Sequence, residues 1–567
     1  MTELKKKIAE EVAKLSGGAV DASDIAASLE YPPDATLGDL ALPCFKFAKV
    51  MRKSPVMIAK DFAERLSVAG VAKAVATGGY LNFTISGEYY AEVVKKVLEK
   101  GEDYGKNEDG KGKVCVLDYS SPNVAKPFHI GHLGTTVIGH SLKKLHEFSG
   151  YTCVGINHLG DWGTQFGKII CALRRFSSVE SLETAGIDDL VAIYVKFHEE
   201  AEKDPELDEI ARATFTSMEQ GDEEALALWR LFVDISLKEV SRVYDMLDVK
   251  FDSFLGESYF FTRTDELISI LKEKNLLQES EGAQIVDLSE ENMPPCIVLK
   301  KDGSTLYATR DIAAAMYRKN TYDFDKCLYI TGMEQILHFS QWFKVCEKIG
   351  FPWSKDLVHI PYGLVSLEGG KLSTRGGNVI FLEDLLHEAV QKTKEIMMEK
   401  NPDLENMDQV AQQVGVGAVV FHDLFNNRIK DVTFSWDQVL NFDGETGPYV
   451  QYTFARASSV LRKAQWDPAN QEAIDMSLLT DEYSQEILKL IENFPKRVEE
   501  ACQKWEPYMI TRYTVALATA FNKFYHENSI MNAEESVKKA RLKLTYVVTR
   551  VIKQGLYLIG VQAPEKM

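Results

Sequence analysis

The chain has little that would build a secreted or membrane-bound protein. Its 567 residues include only eight cysteines. They are scattered, with no CxxC and no paired spacing, so buried thiols in a reducing compartment explain them better than a disulfide framework or a zinc site. HExxH is absent, and no metal site is expected. No uncharged apolar stretch is long enough to cross a bilayer. The start, MTELKKKIAEEVAKL, has Leu4, Ile8, Val12 and Leu15 on one helical face. It lacks the apolar core and small-residue cleavage site of a secretory leader. These absences place the chain in the cytoplasm. Two nucleotide-binding patterns are also missing: there is no GxxxxGK[ST], and no glycine-rich dinucleotide turn follows the first apolar strand.

Basic residues are the scarcer charge, 65 against 84 acidic, for a net charge of −19. That balance argues against a non-specific nucleic-acid binder, but leaves room for RNA held on local basic patches. One such stretch, 536–555, carries Lys538, Lys539, Arg541, Lys543, Arg550 and Lys553 and no acidic residue. A solvated helix face is the alternative reading of it.

At roughly 150 residues per domain the length suggests three or four domains. EKGEDYGKNEDGKGK, Glu99 to Lys113, reads as a linker. Before it, helical patterning at 1–15 and 55–67 alternates with strand-like pieces such as GGYLNFTI. After it, Val114–Leu117 forms an apolar run typical of a strand buried on both faces. A loop, a helix pattern closed by Gly150 and the strand YTCVGIN follow, giving a βαβ unit and a parallel sheet. Residues 180–250 read as an acidic helical insertion. CIVLK, Asp302-Gly303 and STLYAT predict a hairpin. KCLYITG predicts a further strand, and helical periodicity dominates from about 450.

The loop after the first buried strand is SSPNVAKPFHIGHLG, Ser120 to Gly134. Ligands of open α/β sheets bind beyond such strand ends. His129 and His132 at a helix start can donate hydrogen bonds to phosphate oxygens, aided by the helix dipole. Gly131 leaves space for a flat base, and Lys126 adds a mobile cation. The plainer alternative is a helix cap and a core histidine.

This stretch resembles the HIGH signature of class I aminoacyl-tRNA synthetases, and its SPNxAKPxHxGHL context resembles arginyl-tRNA synthetases. LGDLALPCFKFAK, NHLGDWGTQFG, LYATRD, GETGPYVQYTFARA and the terminal APEKM agree with that likeness in order along nearly the whole chain. The resemblance implies a Rossmann-like parallel-sheet catalytic domain at 109–447, with the helical insertion near 175–285. It also implies an N-terminal α+β tRNA-binding domain at 1–108 and a C-terminal all-α anticodon-binding domain at 448–567. The second class I signature, a mobile KMSKS loop, matches only KLSTR: Lys371 and Ser373 are kept, Thr374 replaces the second lysine, and Arg375 follows. In the arginyl family a lysine just before HIGH often accompanies that loss, and Lys126 fits. The likeness also implies an arginine pocket. Asp311 and Tyr307 would hold the guanidinium. Asn123 and Gln335 would hold the α-amino end, with Asp118 nearby. Helix-start charge for Asp311 and hairpin core for Tyr307 are the structural alternatives. Asn82 would touch tRNA, with a buried strand asparagine as the alternative. The implied ligands are ATP with Mg²⁺, L-arginine and tRNA(Arg), and the implied state is a monomer without membrane contact. Two other classes stay open: a small-metabolite nucleotidyltransferase and a catalytically silent tRNA-binding paralogue.

Overall fold

The computed structural model describes residues 2–32, 34, 37–367, 380–467 and 474–567. The N-terminal helix Thr2–Leu15 buries Leu4, Ile8, Ala9 and Val12, the stripe its period of apolar residues predicts. It packs with an antiparallel sheet of β1 (Leu40–Pro43), β2 (Val71–Thr77) and β3 (Tyr80–Ile85), in the order β1-β3-β2. Helix Pro55–Arg65 starts at the capping Ser54 with proline in its first turn, and Ile58, Ala59 and Phe62 enter the same core. Asn82 sits in the central strand, opposite both Ala41 and Val75.

The segment read as a linker is docked. Tyr104 is buried, its O–H donates to the Ile491 carbonyl at 2.9 Å, and its ring stacks on Phe494. Tyr89 O–H donates to Glu492, and Asp39 pairs with Lys489, so the N-terminal domain rests on the late helix Glu482–Lys504. Glycine and charge in 99–113 marked a turn-rich connection; the single tyrosine decides that it is anchored.

The central sheet begins with β4 (Val114–Asp118) and β5 (Thr152–Ile156), joined through helix Leu133–Phe148. Next come three antiparallel strands, β6 (Leu277–Ser280), β7 (Ala283–Val286) and β8 (Cys296–Leu299). Then β9 (Lys326–Gly332) and β10 (Leu357–Tyr362) complete the main sheet, which is all parallel in the order β10-β9-β4-β5. β4 explains its own apolar run: Cys115 and Leu117 enter one core and Val116 the other, all fully buried. A short parallel pair, β11 (Val365–Leu367) with β12 (Val432–Phe434), lies after the sheet.

The interval 175–285 is helical through Asp265–Glu273 and then enters β6 and β7. Its residues up to Phe232 pack with Phe166 in a separate core around Phe197, Phe215 and Phe232, while Val240 and Leu247 join the main core and Leu267 and Leu271 a third. The predicted hairpin is half right. Gly303, with φ 81°, turns the chain, and Leu299 bridges Thr305. The second arm is a helix, Tyr307–Tyr322, because Ala308, Ile312 and Ala315 form one buried face at helical spacing.

Four long helices, Gly447–Lys463, Glu482–Lys504, Tyr508–Glu527 and Glu535–Leu558, form the C-terminal domain. Tyr513, Phe521 and Phe524 are core, and Tyr525 is exposed. The basic stretch is partly committed internally: Arg541 bonds the Ser529 carbonyl, and Arg550 and Lys553 face Glu102. No helix among the described residues is long and apolar enough to cross a membrane.

Candidate active site

The carboxyl ends of β4 and β9 open onto a cavity of about 1110 Å³. Its wall includes Asp118, Asn123, His129, Gly131, His132, Tyr307, Asp311 and Gln335, eight of the residues singled out from the sequence. They come from four separate stretches of chain.

The loop after β4 is held in an unusual backbone. Ser120, Ser121 and Ala125 have φ of 69°, 44° and 59°. Such left-handed non-glycine residues cost free energy and persist where neighbours over-determine them. Here the Ser120 N–H donates to Thr135 Oγ1 at 3.0 Å, and the Ala125 N–H to Ser236 Oγ at 2.9 Å. Tyr244 O–H also meets Ser120 Oγ at 2.8 Å. Ser236 and Tyr244 belong to the 25-residue helix Glu223–Leu247, which therefore buttresses the loop. Its Arg242 forms a two-pronged pair with Glu383, both contacts at 2.8 Å, anchoring helix Leu382–Lys400. The start of that helix reaches back, with the Leu382 N–H on the Phe128 carbonyl and Ile130 N–H on the Ile380 carbonyl.

The two histidines wire each other. Gly131 N–H donates to His129 Nδ1 at 3.0 Å, and His129 N–H donates to His132 Nδ1 at 3.1 Å. A backbone N–H always carries its proton, so His129 Nδ1 is an acceptor and its ring proton belongs on Nε2. His132 Nδ1 lies by both the His129 N–H and, at 3.2 Å, the His129 carbonyl, so its tautomer follows the one it bonds. Burial lowers the pKa of both, and that of His132 falls to about 3, with His129 beside it as the next cause. Both rings are therefore neutral at the start of helix Leu133–Phe148, and His129 presents an Nε2–H donor. The Gly131 requirement is internal. A Cβ there would sit 2.7 Å from His129 Cε1 and 2.9 Å from its Nδ1.

Five carboxylates, Asp118, Glu257, Asp311, Glu334 and Asp431, lie in the same wall. Asp118 pairs with buried Arg318 at 2.8 Å and accepts from Ser121 Oγ at 2.8 Å. Glu257 pairs with Arg310 at 2.8 Å; burial pushes its carboxyl up to about 7 against the pull of that arginine. Asp311 takes His338 Nε2 on one oxygen. Tyr307, 63% exposed, precedes Asp311 by one helical turn, so neither the hairpin-core nor the simple buried reading applies to it.

Arg318, Glu257, His158 and His338 were not singled out from the sequence. Arg318 lies seven residues after Asp311 on one helix face, a spacing that could have flagged it. His158 sits inside the quoted NHLGDWGTQFG, and the other two carry no local signal.

Lys126 is exposed and outside the cavity wall, though near enough to His132 to weigh against its protonation. Lys371, Ser373, Thr374 and Arg375 lie outside the described residues. Asn82, at 4% exposure, occupies the place of a buried strand asparagine.

Three family models match the chain in order: "Arginyl tRNA synthetase N terminal domain" at residues 2–85, "tRNA synthetases class I (R), catalytic domain" at 93–436, and "DALR anticodon binding domain" at 450–567. An arginine–tRNA ligase of Clostridioides difficile is 53% identical over 546 residues, covering 96% of each chain. One from Alkaliphilus metalliredigens is 51% identical over the full length of both. In fold the chain is similar to the Thermus thermophilus arginyl-tRNA synthetase, with TM-score 0.81 at 23% identity and 100% of each chain covered. It is also similar to the Plasmodium falciparum arginyl-tRNA synthetase, with TM-score 0.79 at 23% identity and 99% of each chain covered. With its sheet, its paired imidazoles and these full-length matches, the chain belongs to the arginyl-tRNA synthetase family of class I tRNA synthetases.

Proposed function

We infer that the chain is an arginine–tRNA ligase. Arginine's carboxylate attacks the α-phosphate of ATP, giving arginyl-adenylate and pyrophosphate; a terminal ribose hydroxyl of tRNA(Arg) then attacks the acyl carbon, loses its proton and takes the arginyl group as AMP leaves. The observation that carries this reading is the pairing, in one cavity, of two neutral imidazoles at a helix start with a wall of carboxylates. Neutral donors fixed beforehand stabilise charge growing on a phosphoryl group without reorganising. Carboxylates suit a guanidinium, which only donates hydrogen bonds.

In this reading His129 and His132 hold ATP phosphates, and Lys126 shares the triphosphate with Lys371, Ser373, Thr374 and Arg375. Asp311 and Tyr307 receive the guanidinium, and Asn123 and Gln335 the α-amino end. Asp118, already engaged by Arg318 and Ser121, shapes that end of the pocket. Mg²⁺ would accompany ATP, held largely by phosphate oxygens and water. A cytoplasmic monomer is the working form.

The test is pyrophosphate exchange with all twenty amino acids, each with and without unfractionated tRNA. Arginine-only exchange that appears on adding tRNA is expected. Exchange with another amino acid would replace the substrate. No exchange from folded protein that still binds tRNA would point to a silent binding paralogue.

A further inference from the structure

One oxygen of the proposed guanidinium acceptor is already taken. His338 Nε2 sits 2.6 Å from Asp311 Oδ2, with both side chains partly exposed to the cavity they line. The two come from different helices, Tyr307–Tyr322 and Ile336–Ile349, so the contact ties them together across the pocket wall. His338 is itself steadied by Phe339, whose ring meets it edge-on at 5.4 Å, and Phe339 is locked in the core beside Trp342.

This contact has a geometric consequence. A guanidinium fork grips a carboxylate best through two parallel hydrogen bonds, one to each oxygen. With Oδ2 engaged, Asp311 offers Oδ1 alone, and the second N–H needs another acceptor. Tyr307, one turn earlier on the same helix and lining the same cavity, is the residue this reading assigns to it. A carboxylate clamped in this way also cannot swing toward a ligand that ends short of it. The ammonium of lysine is such a ligand: a compact point charge on a shorter reach, without the planar fork.

We propose that His338 is a positioning residue for amino-acid selection: by holding Asp311 Oδ2 it fixes the carboxylate for a planar guanidinium and denies it to lysine. This rests on the reading of Asp311 as guanidinium acceptor in the ligase. His338 acts through Asp311 and touches no reacting atom.

The experiment is tRNA-supplemented pyrophosphate exchange with arginine and with lysine on His338→Ala, His338→Gln, Asp311→Asn and the Ala/Asn double variant. His338→Ala should raise KM for arginine about tenfold, a coupling expected of side chains in direct contact. KM for ATP should stay as in the parent. The preference for arginine over lysine should narrow. His338→Gln, which retains an N–H donor, should restore most of both. The double variant should be no worse than Asp311→Asn alone. Should the alanine variant fail to fold, His338→Phe keeps ring volume without the donor and serves the same comparison. Parent-like selectivity in His338→Ala, with Asp311→Asn impaired, would overturn the inference while leaving the acceptor reading intact. Multiplying effects in the double variant would also overturn it. Normal arginine use by Asp311→Asn would remove the acceptor reading itself.

Discussion

Replacing Gly131 with alanine separates two explanations of the same glycine. The added Cβ would stand 2.7 Å from His129 Cε1, against an ordinary carbon–carbon contact of about 3.5 Å. The ring must therefore retreat by about 0.8 Å. That breaks its bond from the Gly131 N–H, which fixes the tautomer. Misplacing a reacting group by about 1 Å costs on the order of 10²-fold, and losing one charge-stabilising donor costs about 10²–10³-fold. A drop of about a hundredfold in pyrophosphate exchange is expected, roughly 2.7 kcal/mol. Gly131 is outside the left-handed region, so alanine adds no backbone strain and the melting temperature should hold. His129→Ala should lose a similar amount, and the double variant should lose little more, because both changes remove one donor. Losses that multiply to about 10⁴-fold would show that Gly131 also makes room for the nucleotide base. Near-parent exchange by Gly131→Ala would refute the internal explanation altogether.

Three further outcomes follow from burial. His140 is 9% exposed, neither ring nitrogen has a hydrogen-bond partner among the described residues, and burial holds its pKa down at about 3. Between about 6.5 and 3 the folded state binds fewer protons there than the unfolded chain, so stability is full above that window and falls as pH drops through it. At pH 5 this one group costs about 2 kcal/mol relative to pH 8, and His140→Leu should remove that share of the acid loss in urea unfolding. An unchanged acid slope would contradict it. Asp118→Asn strands the Arg318 guanidinium, 2% exposed, and should destabilise by about 3–5 kcal/mol in chemical denaturation. Gln451 is fully buried and its Nε2 donates to the carbonyls of Gln413 and Gln562. Gln451→Leu should cost about 1–3 kcal/mol by the same assay, for two carbonyls left without a donor.

What the sequence made legible follows from the range of each interaction. β4 and β9 stand out because burial on both faces writes an unbroken apolar run into adjacent positions. The βαβ unit and the helix faces are likewise local, since their periods repeat within one stretch. The signature histidines were legible because their wiring spans only four residues. Arg318 was not, because it sits on helix Tyr307–Tyr322 and its partner Asp118 ends β4, two hundred positions earlier. His338 and Glu257 are ordinary side chains until the sheet brings them to the cavity. The hairpin after Gly303 misled because alternation in STLYAT fits either a strand or a helix start. Packing of Ala308, Ile312 and Ala315 on the core resolves it. In the segment 99–113 composition reported solvent, while one tyrosine carried the anchoring contact.

The docking of Tyr89 onto Glu492 spans 403 positions of chain. A ribosome adding about 5–20 residues per second needs about 20–80 s to supply that distance. Throughout that time the first domain has emerged and its seat has not been made. Its sheet and helices pack around Phe47, Phe62 and Phe83, in a core that runs on into the C-terminal helices. The surface of Tyr89 and Tyr104 that later meets the helix stays uncovered in the nascent chain. Chaperone occupancy during synthesis should therefore concentrate on that face and end as residues 482–504 emerge.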